Sequence, residues 1–546
     1  GSEMCIRDRT YRLWIERGER EQFLSVVKVY LTSHFDVPDK EGATIKGAVF
    51  CENRGIAGVR VSDGIVTATT DENGYYWLAS DKSTGYVFYS MPSGYVPVDF
   101  DYDAMGFWQP LTADAAVCEQ HNFGMRAVDN DEFVLLLGAD LHLANKQKDI
   151  ENFKNGFVAD SKRMAEQFSC PVYCLFAGDM TWDRYWYDNK FTIPTYKRLL
   201  QEVQYPLPVF HLMGNHDNDP TVANDDFAAA GPFRQIIGPT DFSFNIGNVH
   251  YILLDNVVYE NPNGIDGTHS YSVRLTDEKL GWLRKDLATV DKQTPVFVGM
   301  HVPLHKTPTL DDTGRTTTSY NMEDAERFVE CLEGYDVNIL TGHTHYNFNI
   351  TKSERLREHN IAAVCATWWW TGHTDYAGNH ICRDGSPGGY KIFEATGSDV
   401  RWYYKSTGKD AGYQFRTHDL NECLLEKSDF CPSASDSDFA KYAFGYDRAN
   451  DNNEVLINVF AWADDWKIEV TDLSDDSSLA VQRVRTHDPL HVISYNMRKL
   501  DKKSAMTFPT SYSAHMFKVK ARTASSSLRI VVTDGFENHY EQIMER

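Results

Sequence analysis

The chain has 546 residues and a formal net charge of −24. That length exceeds what one hydrophobic core organises, so roughly two to four domains are expected, and the acidic balance weighs against nucleic acids and anionic membranes as partners. No stretch approaches the roughly 20 apolar residues of a membrane span, and the ten cysteines include no CxxC pair that would announce a structural zinc ribbon.

Gly1-Ser2 reads as a tag-cleavage scar and residues 3–9 as translated adapter sequence, so residues 1–9 are set aside and the native N-terminus and any signal sequence are not visible. Residues 10–42 form a polar leader segment; its most apolar piece, 23–31, is interrupted by Lys28 and reads as a short helix or strand. From residue 43 the pattern changes to short alternating strands (46–50, 58–62, 75–78) separated by Asn- and Gly-rich turns, which predicts a small β-sandwich and connector over 43–128. Residues 129–405 alternate strands and helices. Continuous apolar runs at 133–138, 172–177, 209–213, 296–300 and 337–340 predict buried strands, and the spacing predicts helices over 149–168, 195–203, 276–290 and 321–334. A hairpin is expected at 242–255 around Gly247-Asn248. Beyond Gly397 the helical pattern stops, and runs at 454–462, 466–471, 515–519 and 528–533 predict a C-terminal β-domain over 406–546. Within it, 427–437 reads as an exposed loop, and Cys423 and Cys431 are spaced so that they could close a short disulfide.

Five short motifs carry the chemistry: Gly138-Ala-Asp140-Leu-His142, Gly178-Asp179, Gly214-Asn215-His216-Asp217, Met300-His301 and Gly342-His343-Thr-His345. Each follows a β-forming run, and α/β folds place their ligands on loops at the carboxyl ends of strands. Carboxylate and amide oxygens mixed with imidazoles suit Mn, Fe, Zn and similar divalent ions. A lone histidine is more often a core or turn residue. Five such motifs in order make a two-metal hydrolase the leading reading.

These motifs resemble the calcineurin-like metallophosphoesterase superfamily, whose pattern runs D-x-H, G-D, G-N-H-D/E, H and G-H-x-H. The wider arrangement resembles secreted bacterial members with β-domains on both sides of the catalytic domain. The resemblance implies a multidomain α/β plus all-β protein: a central four-layer α/β/β/α domain flanked by a small N-terminal β-sandwich and a C-terminal β-domain. It also implies a periplasmic, cell-surface or secreted location. Two divalent metal ions are implied, Mn, Fe, Zn or similar. Asp140, His142 and His345 would bind the first, Asn215, His301 and His343 the second, and Asp179 would bridge them. A hydroxide between the ions would attack a phosphate mono- or diester, with His216 as general acid and Asp217 orienting its imidazole.

Two departures narrow the resemblance. Trp182 stands where purple acid phosphatases carry a tyrosinate ligand. Residues 178–184, Gly-Asp-Met-Thr-Trp-Asp-Arg, shift by one position the Asp-Arg pair of the Ser/Thr protein phosphatase motif G-D-x-V-D-R-G. For substrate contacts, Arg315 is a candidate phosphate clamp, and Trp369 and Trp370 of the run 368–370 are candidates for a wall against a leaving group. His305 and the turn-rich 384–389 are further candidates for the cleft. The substrate expected is a small, glycan-linked or lipid-linked phosphate ester. Alternatives are an envelope- or glycan-binding protein using the fold as a scaffold, opposed by the intact ligand set, and a nuclease, opposed by the net charge.

Overall fold

The computed structural model describes residues 35–102, 105–112, 114–265, 267–371 and 379–546. The expected element at 23–31 lies outside the described residues. Two sheets form the centre. The first runs in the order Val209–Leu212, Val172–Ala177, Glu132–Gly138, Gly389–Thr396, Asp399–Ser406. Its first three strands are parallel and the last two join antiparallel. The second sheet runs Phe242–Ile246, Val249–Leu253, Pro295–Gly299, Asp336–Thr341, Leu356–Asn360, Phe348–Ser353. Parallel pairs occupy its middle and an antiparallel hairpin closes each edge.

Strand alternation explains the layering. In Glu132–Gly138 the side chains of Phe133, Leu135 and Leu137 enter the core between the sheets, while Val134 and Leu136 enter a second core with Phe157, Leu199 and Leu200 of the covering helices. Both faces are therefore apolar, as in buried parallel strands, and each fully buried Leu or Phe contributes roughly 1.5–3 kcal/mol. The sheets meet through aromatic stacking, Phe210 on Phe244 at 3.8 Å between ring centroids. Helices Asp277–Leu287 and Ala325–Cys331 bring Leu280, Leu283 and Phe328 to the same core as the second sheet. The result is the expected four-layer α/β/β/α arrangement.

The N-terminal strands form two small sheets, one built around Ile45–Cys51 and one in the order Thr67–Thr69, Arg60–Ser62, Tyr86–Tyr89, Trp108–Pro110. They pack on the centre through Phe107 against Phe242, and Trp282 Nε1 donates to Ser62 Oγ at 3.0 Å. The C-terminal part is two four-stranded sheets whose core includes Val455, Ile457, Phe517 and Ile530. No described helix is long and apolar enough to cross a membrane.

Two expectations need correction. The segment 427–437 is not a loop: it begins with helix Lys427–Phe430 and ends inside helix Asp436–Tyr442, where the Ser435 side chain caps the start by accepting from Asp438 N. Phe439 and Tyr442 pack there against Leu425 and Cys431, a tertiary contact that outweighs the polar composition. Cys423 and Cys431 are free thiols. Cys431 is buried in that apolar cluster with its Sγ 3.7 Å from Met497 Sδ, which turns it away from a disulfide partner.

Candidate metal centre

Each of the five motifs lies just beyond the carboxyl end of a central strand: Asp140 after Glu132–Gly138, Asp179 after Val172–Ala177, Asn215 after Val209–Leu212, His301 after Pro295–Gly299, His343 after Asp336–Thr341. The chain turns sharply at these points. Asp140, His142, Asp179, His343 and His345 have φ of 57°, 43°, 55°, 68° and 58°. Left-handed backbone at non-glycine residues costs roughly 1–2 kcal/mol each and clusters at functional sites. The preceding glycines have a steric reason. A Cβ on Gly178 would lie 2.3 Å from His301 Nδ1, and one on Gly214 would lie 2.2 Å from Asp179 Oδ1.

The turns bring the side chains into two adjoining groups. In one, His345 Nε2 lies 3.0 Å from His142 Nε2 and 3.3 Å from Asp140 Oδ1. In the other, His301 Nε2 lies 3.1 Å from Asn215 Oδ1 and 3.3 Å from His343 Nδ1. Asp179 Oδ2 sits between them, 3.5 Å from His142 Nε2 and 3.1 Å from His301 Nε2. All seven residues named as ligands from the sequence thus lie together.

Hydrogen bonds on the far sides of the rings orient them. His301 Nδ1 donates to the Ala177 carbonyl at 2.7 Å and His345 Nδ1 to the Ala366 carbonyl at 2.8 Å. A ring that carries its proton on Nδ1 presents a lone pair at Nε2. In its neutral form His301 would therefore aim an Nε2 lone pair at two oxygen acceptors, and among the described residues Asp140 Oδ1 is buried with no hydrogen-bond partner. Acceptors facing acceptors in a buried site require a positive charge between them. Burial raises the Asp179 carboxyl, but the surrounding imidazoles, His301 foremost, outweigh it and hold it well below the usual range. Burial lowers His301, yet the Asp179 charge prevails and lifts it to about 9, so a proton competes with a metal ion for this position. The donor set, neutral imidazoles with carboxylate and amide oxygens, fits two divalent ions of the Mn, Fe or Zn kind.

His216 stands beside these groups and is more exposed, with a quarter of its side chain accessible against 1 % for His142. Its backbone N–H donates to Asp179 Oδ1 at 2.8 Å, and its Nδ1 pairs with Asp183 Oδ1 at 2.6 Å. The sequence expectation that Asp217 orients this imidazole is overturned. Asp217 instead accepts from Gly214 N at 3.0 Å, and from Thr181 N and Thr181 Oγ1 at 3.0 Å each. It ties the two ligand loops together and has no contact with the His216 ring among these bonds. Desolvation opposes the charge on His216, but Asp183 and then Asp179 dominate and raise it to about 9. Asp183 remains an anion: burial disfavours its charge, but His216 holds its pKa at about 2.

Several residues were not singled out from the sequence. Asp183 is one; its only signal is its place in the shifted Asp-Arg pair. His269 is another, its Nε2 3.0 Å from Asp183 Oδ2. Tyr271 Oη lies 2.9 Å from His343 Nε2. The tryptophan run divides unexpectedly. Trp369 is buried with its Nε1 donating to the Leu141 carbonyl at 2.8 Å, so it is a structural residue, whereas Trp368 stacks on His345 with centroids 4.0 Å apart and Trp370 is half-buried near Trp182. Replacing Trp369 with Phe leaves the Leu141 carbonyl unsatisfied. The expected outcome is a loss of about 1–3 kcal/mol in denaturant unfolding without an increase in KM.

The other candidates do not join the centre. Arg315 is exposed at the tip of the hairpin Thr309–Leu310 and Thr316–Thr317, which leans on the C-terminal domain through Thr316 Oγ1 and Asp464 Oδ1 at 2.8 Å. A hairpin of this length carries its side chain outward. His305 is buried, its Nδ1 2.7 Å from Glu358 Oε2. Asp384, in the turn-rich segment, is buried against the C-terminal domain with His515 Nε2 at 3.0 Å, a domain-joining contact.

Three family descriptions match the chain in order. Residues 43–128 match the N terminal of calcineurin-like phosphoesterase, 134–347 calcineurin-like phosphoesterase, and 358–540 the C terminal of calcineurin-like phosphoesterase. No curated protein matches. Among solved structures, a dimetal phosphatase from Danio rerio aligns at 15 % identity over 50 % of this chain and 97 % of its own, with a TM-score of 0.34. A purple acid phosphatase from yellow lupin aligns at 11 % identity over 50 % of this chain and 51 % of its own, TM-score 0.33. A 5′-nucleotidase from Candida albicans aligns at 9 % identity over 52 % of this chain and 53 % of its own, TM-score 0.31. On its catalytic motifs and the three consecutive matches, this chain belongs to the calcineurin-like phosphoesterase superfamily.

Proposed function

We propose that the chain is a two-metal hydrolase of a phosphate mono- or diester, acting on a small, glycan-linked or lipid-linked substrate outside the cytoplasm of a bacterium. The observation that carries this reading is the convergence of buried potential ligand atoms around Asp179 Oδ2, with His142 Nε2 and His301 Nε2 at 3.5 and 3.1 Å on either side. Asp140, His142 and His345 would hold one ion, Asn215, His301 and His343 the other, with Asp179 shared. When bound, such a pair supplies the positive charge that yields a nucleophilic hydroxide near neutral pH and offsets charge on the phosphoryl oxygens.

The chain's own residues handle the leaving group. An oxygen–phosphorus bond forms on one side of phosphorus as the ester P–O bond breaks on the other, and the departing alkoxide takes a proton. His216 is the donor this geometry supports. Asp183 fixes its Nδ1 at 2.6 Å, leaving Nε2 free to deliver the proton, and the carboxylate keeps the imidazole protonated near neutral pH. Tyr271, on His343 Nε2, holds that ring's orientation from behind.

The test is metal depletion. Chelation, checked by elemental analysis, is expected to abolish hydrolysis of p-nitrophenyl phosphate and bis-p-nitrophenyl phosphate, and Mn, Fe or Zn is expected to restore it. Hydrolysis that persists in protein shown to be metal-free sinks the proposal. The relative rates on the two esters separate phosphatase from diesterase action.

A further inference from the structure

An aromatic mouth borders the candidate centre, and part of it comes from the C-terminal domain. Trp368, stacked on His345, also stacks on Phe508 with centroids 3.7 Å apart. Trp182 lies 6.2 Å from Trp368 and 6.3 Å from Trp370 between centroids, and 6.3 Å from the His216 ring. Trp182, Trp368 and Trp370 are all half-buried, and Trp368, stacked on both His345 and Phe508, offers an edge to the mouth. Aromatic faces next to a polar centre suit a ring that stacks while its substituents reach the polar groups.

Two ammonium groups complete the mouth. Lys499 Nζ lies 4.1 Å from the Trp370 ring centroid and Lys146 Nζ 3.9 Å from that of Tyr185, within 5.8 Å of Trp182. In a chain with 78 acidic residues against 54 lysines and arginines, neither is in any of the ion pairs formed among the described residues. Lys146 instead bonds to the Tyr185 hydroxyl. Burial and then the charge of Lys146 depress the Lys499 ammonium. Two neighbouring lysines with no carboxylate partner among the described residues are suited to an anion arriving from outside.

We propose that this mouth is a leaving-group subsite for phosphate esters and phosphoanhydrides whose leaving group presents a ring face and carries a second phosphate. The ring would lie against Trp182 and Trp370 beside the edge of Trp368, and the second phosphate would meet Lys146 and Lys499. This rests on the phosphoesterase reading above and assigns the C-terminal domain a part in substrate selection. A nucleoside diphosphate and a sugar bisphosphate share the required chemistry.

The experiment compares kcat/KM for ADP and for glucose 1,6-bisphosphate with kcat/KM for p-nitrophenyl phosphate, which has no second anion. In Lys499→Met and in Lys146→Met the ratio of the better doubly phosphorylated substrate to p-nitrophenyl phosphate is expected to fall about tenfold, the loss of a charge-assisted contact. Lys499→Arg should largely restore it. Quenching of tryptophan fluorescence by ADP and by glucose 1,6-bisphosphate in metal-free protein supplies a readout independent of turnover. Their Kd values should weaken by a similar factor in the lysine variants, and quenching should diminish in Trp370→Leu. Ratios and Kd values unchanged in both lysine variants overturn the subsite. A wild-type protein that binds these ligands but hydrolyses no ester defeats the phosphoesterase reading and leaves the subsite standing. Preference for ADP identifies the ring as a nucleobase, and preference for the bisphosphate identifies it as a sugar.

Discussion

Asp179→Asn is expected to eliminate metal-dependent hydrolysis, by at least roughly 10³-fold, the scale of losing a principal electrostatic element of a catalytic site. The reason is position rather than charge alone. Among the described residues Asp179 Oδ2 is the one oxygen within 3.5 Å of a ligand nitrogen in each group, and Asp179 Oδ1 accepts the backbone N–H of His216. An amide keeps the shape but replaces one oxygen with a donor. If its nitrogen faces the groups, it repels both ions; if its oxygen faces them, its nitrogen opposes the His216 N–H. Either way the shared anion is lost. Metal analysis should show the variant retaining fewer ions than the wild type, and near-UV circular dichroism should show the fold intact. A variant with full turnover and full metal content would show that Asp179 does not bridge.

The ligand positions are legible in the sequence because their determinants are local. A glycine followed by a ligand at the end of an apolar strand gives a tight turn with room for a neighbouring loop, and the Gly178 and Gly214 contacts show why a larger residue does not fit. The buried strands are legible for a similar reason: apolar on both faces, they can only be covered on both faces. What escapes the sequence depends on distant packing. The roles of Trp368, Trp369 and Trp370 follow from left-handed backbone at Ala366, Trp368 and Trp369, with φ of 53°, 47° and 61°. No side-chain propensity announces that conformation. Phe508 and Lys499 reach the mouth from more than a hundred residues downstream, and the helices around residues 427–442 form because they cover Cys431 and Leu425.

The choice between Asp183 and Asp217 is the instructive failure, because adjacency in sequence favours the wrong residue. His216 and Asp217 are neighbours within one short turn, Asn215–Asp217, and that turn directs their side chains differently. Asp217 points inward to the N–H groups of Gly214 and Thr181, while Asp183, on the next loop, meets the His216 ring. Asp183→Asn is therefore expected to lower turnover by about 10²–10⁴, the usual worth of a positioned general acid, while metal content is retained. The amide cannot stabilise the imidazolium, so His216 loses the support that lifts it to about 9. Its pKa should fall, and activity should decline at a lower pH than in the wild type as the proton donor is lost. His216→Ala combined with Asp183→Asn should be scarcely worse than His216→Ala alone, because the carboxylate acts through the ring. Asp217→Asn should behave differently. The inward carboxylate binds two loops, so its loss should lower unfolding stability and metal retention together, with the alkaline limb of the pH profile unshifted. If Asp217→Asn moves that limb and Asp183→Asn does not, the assignment reverses.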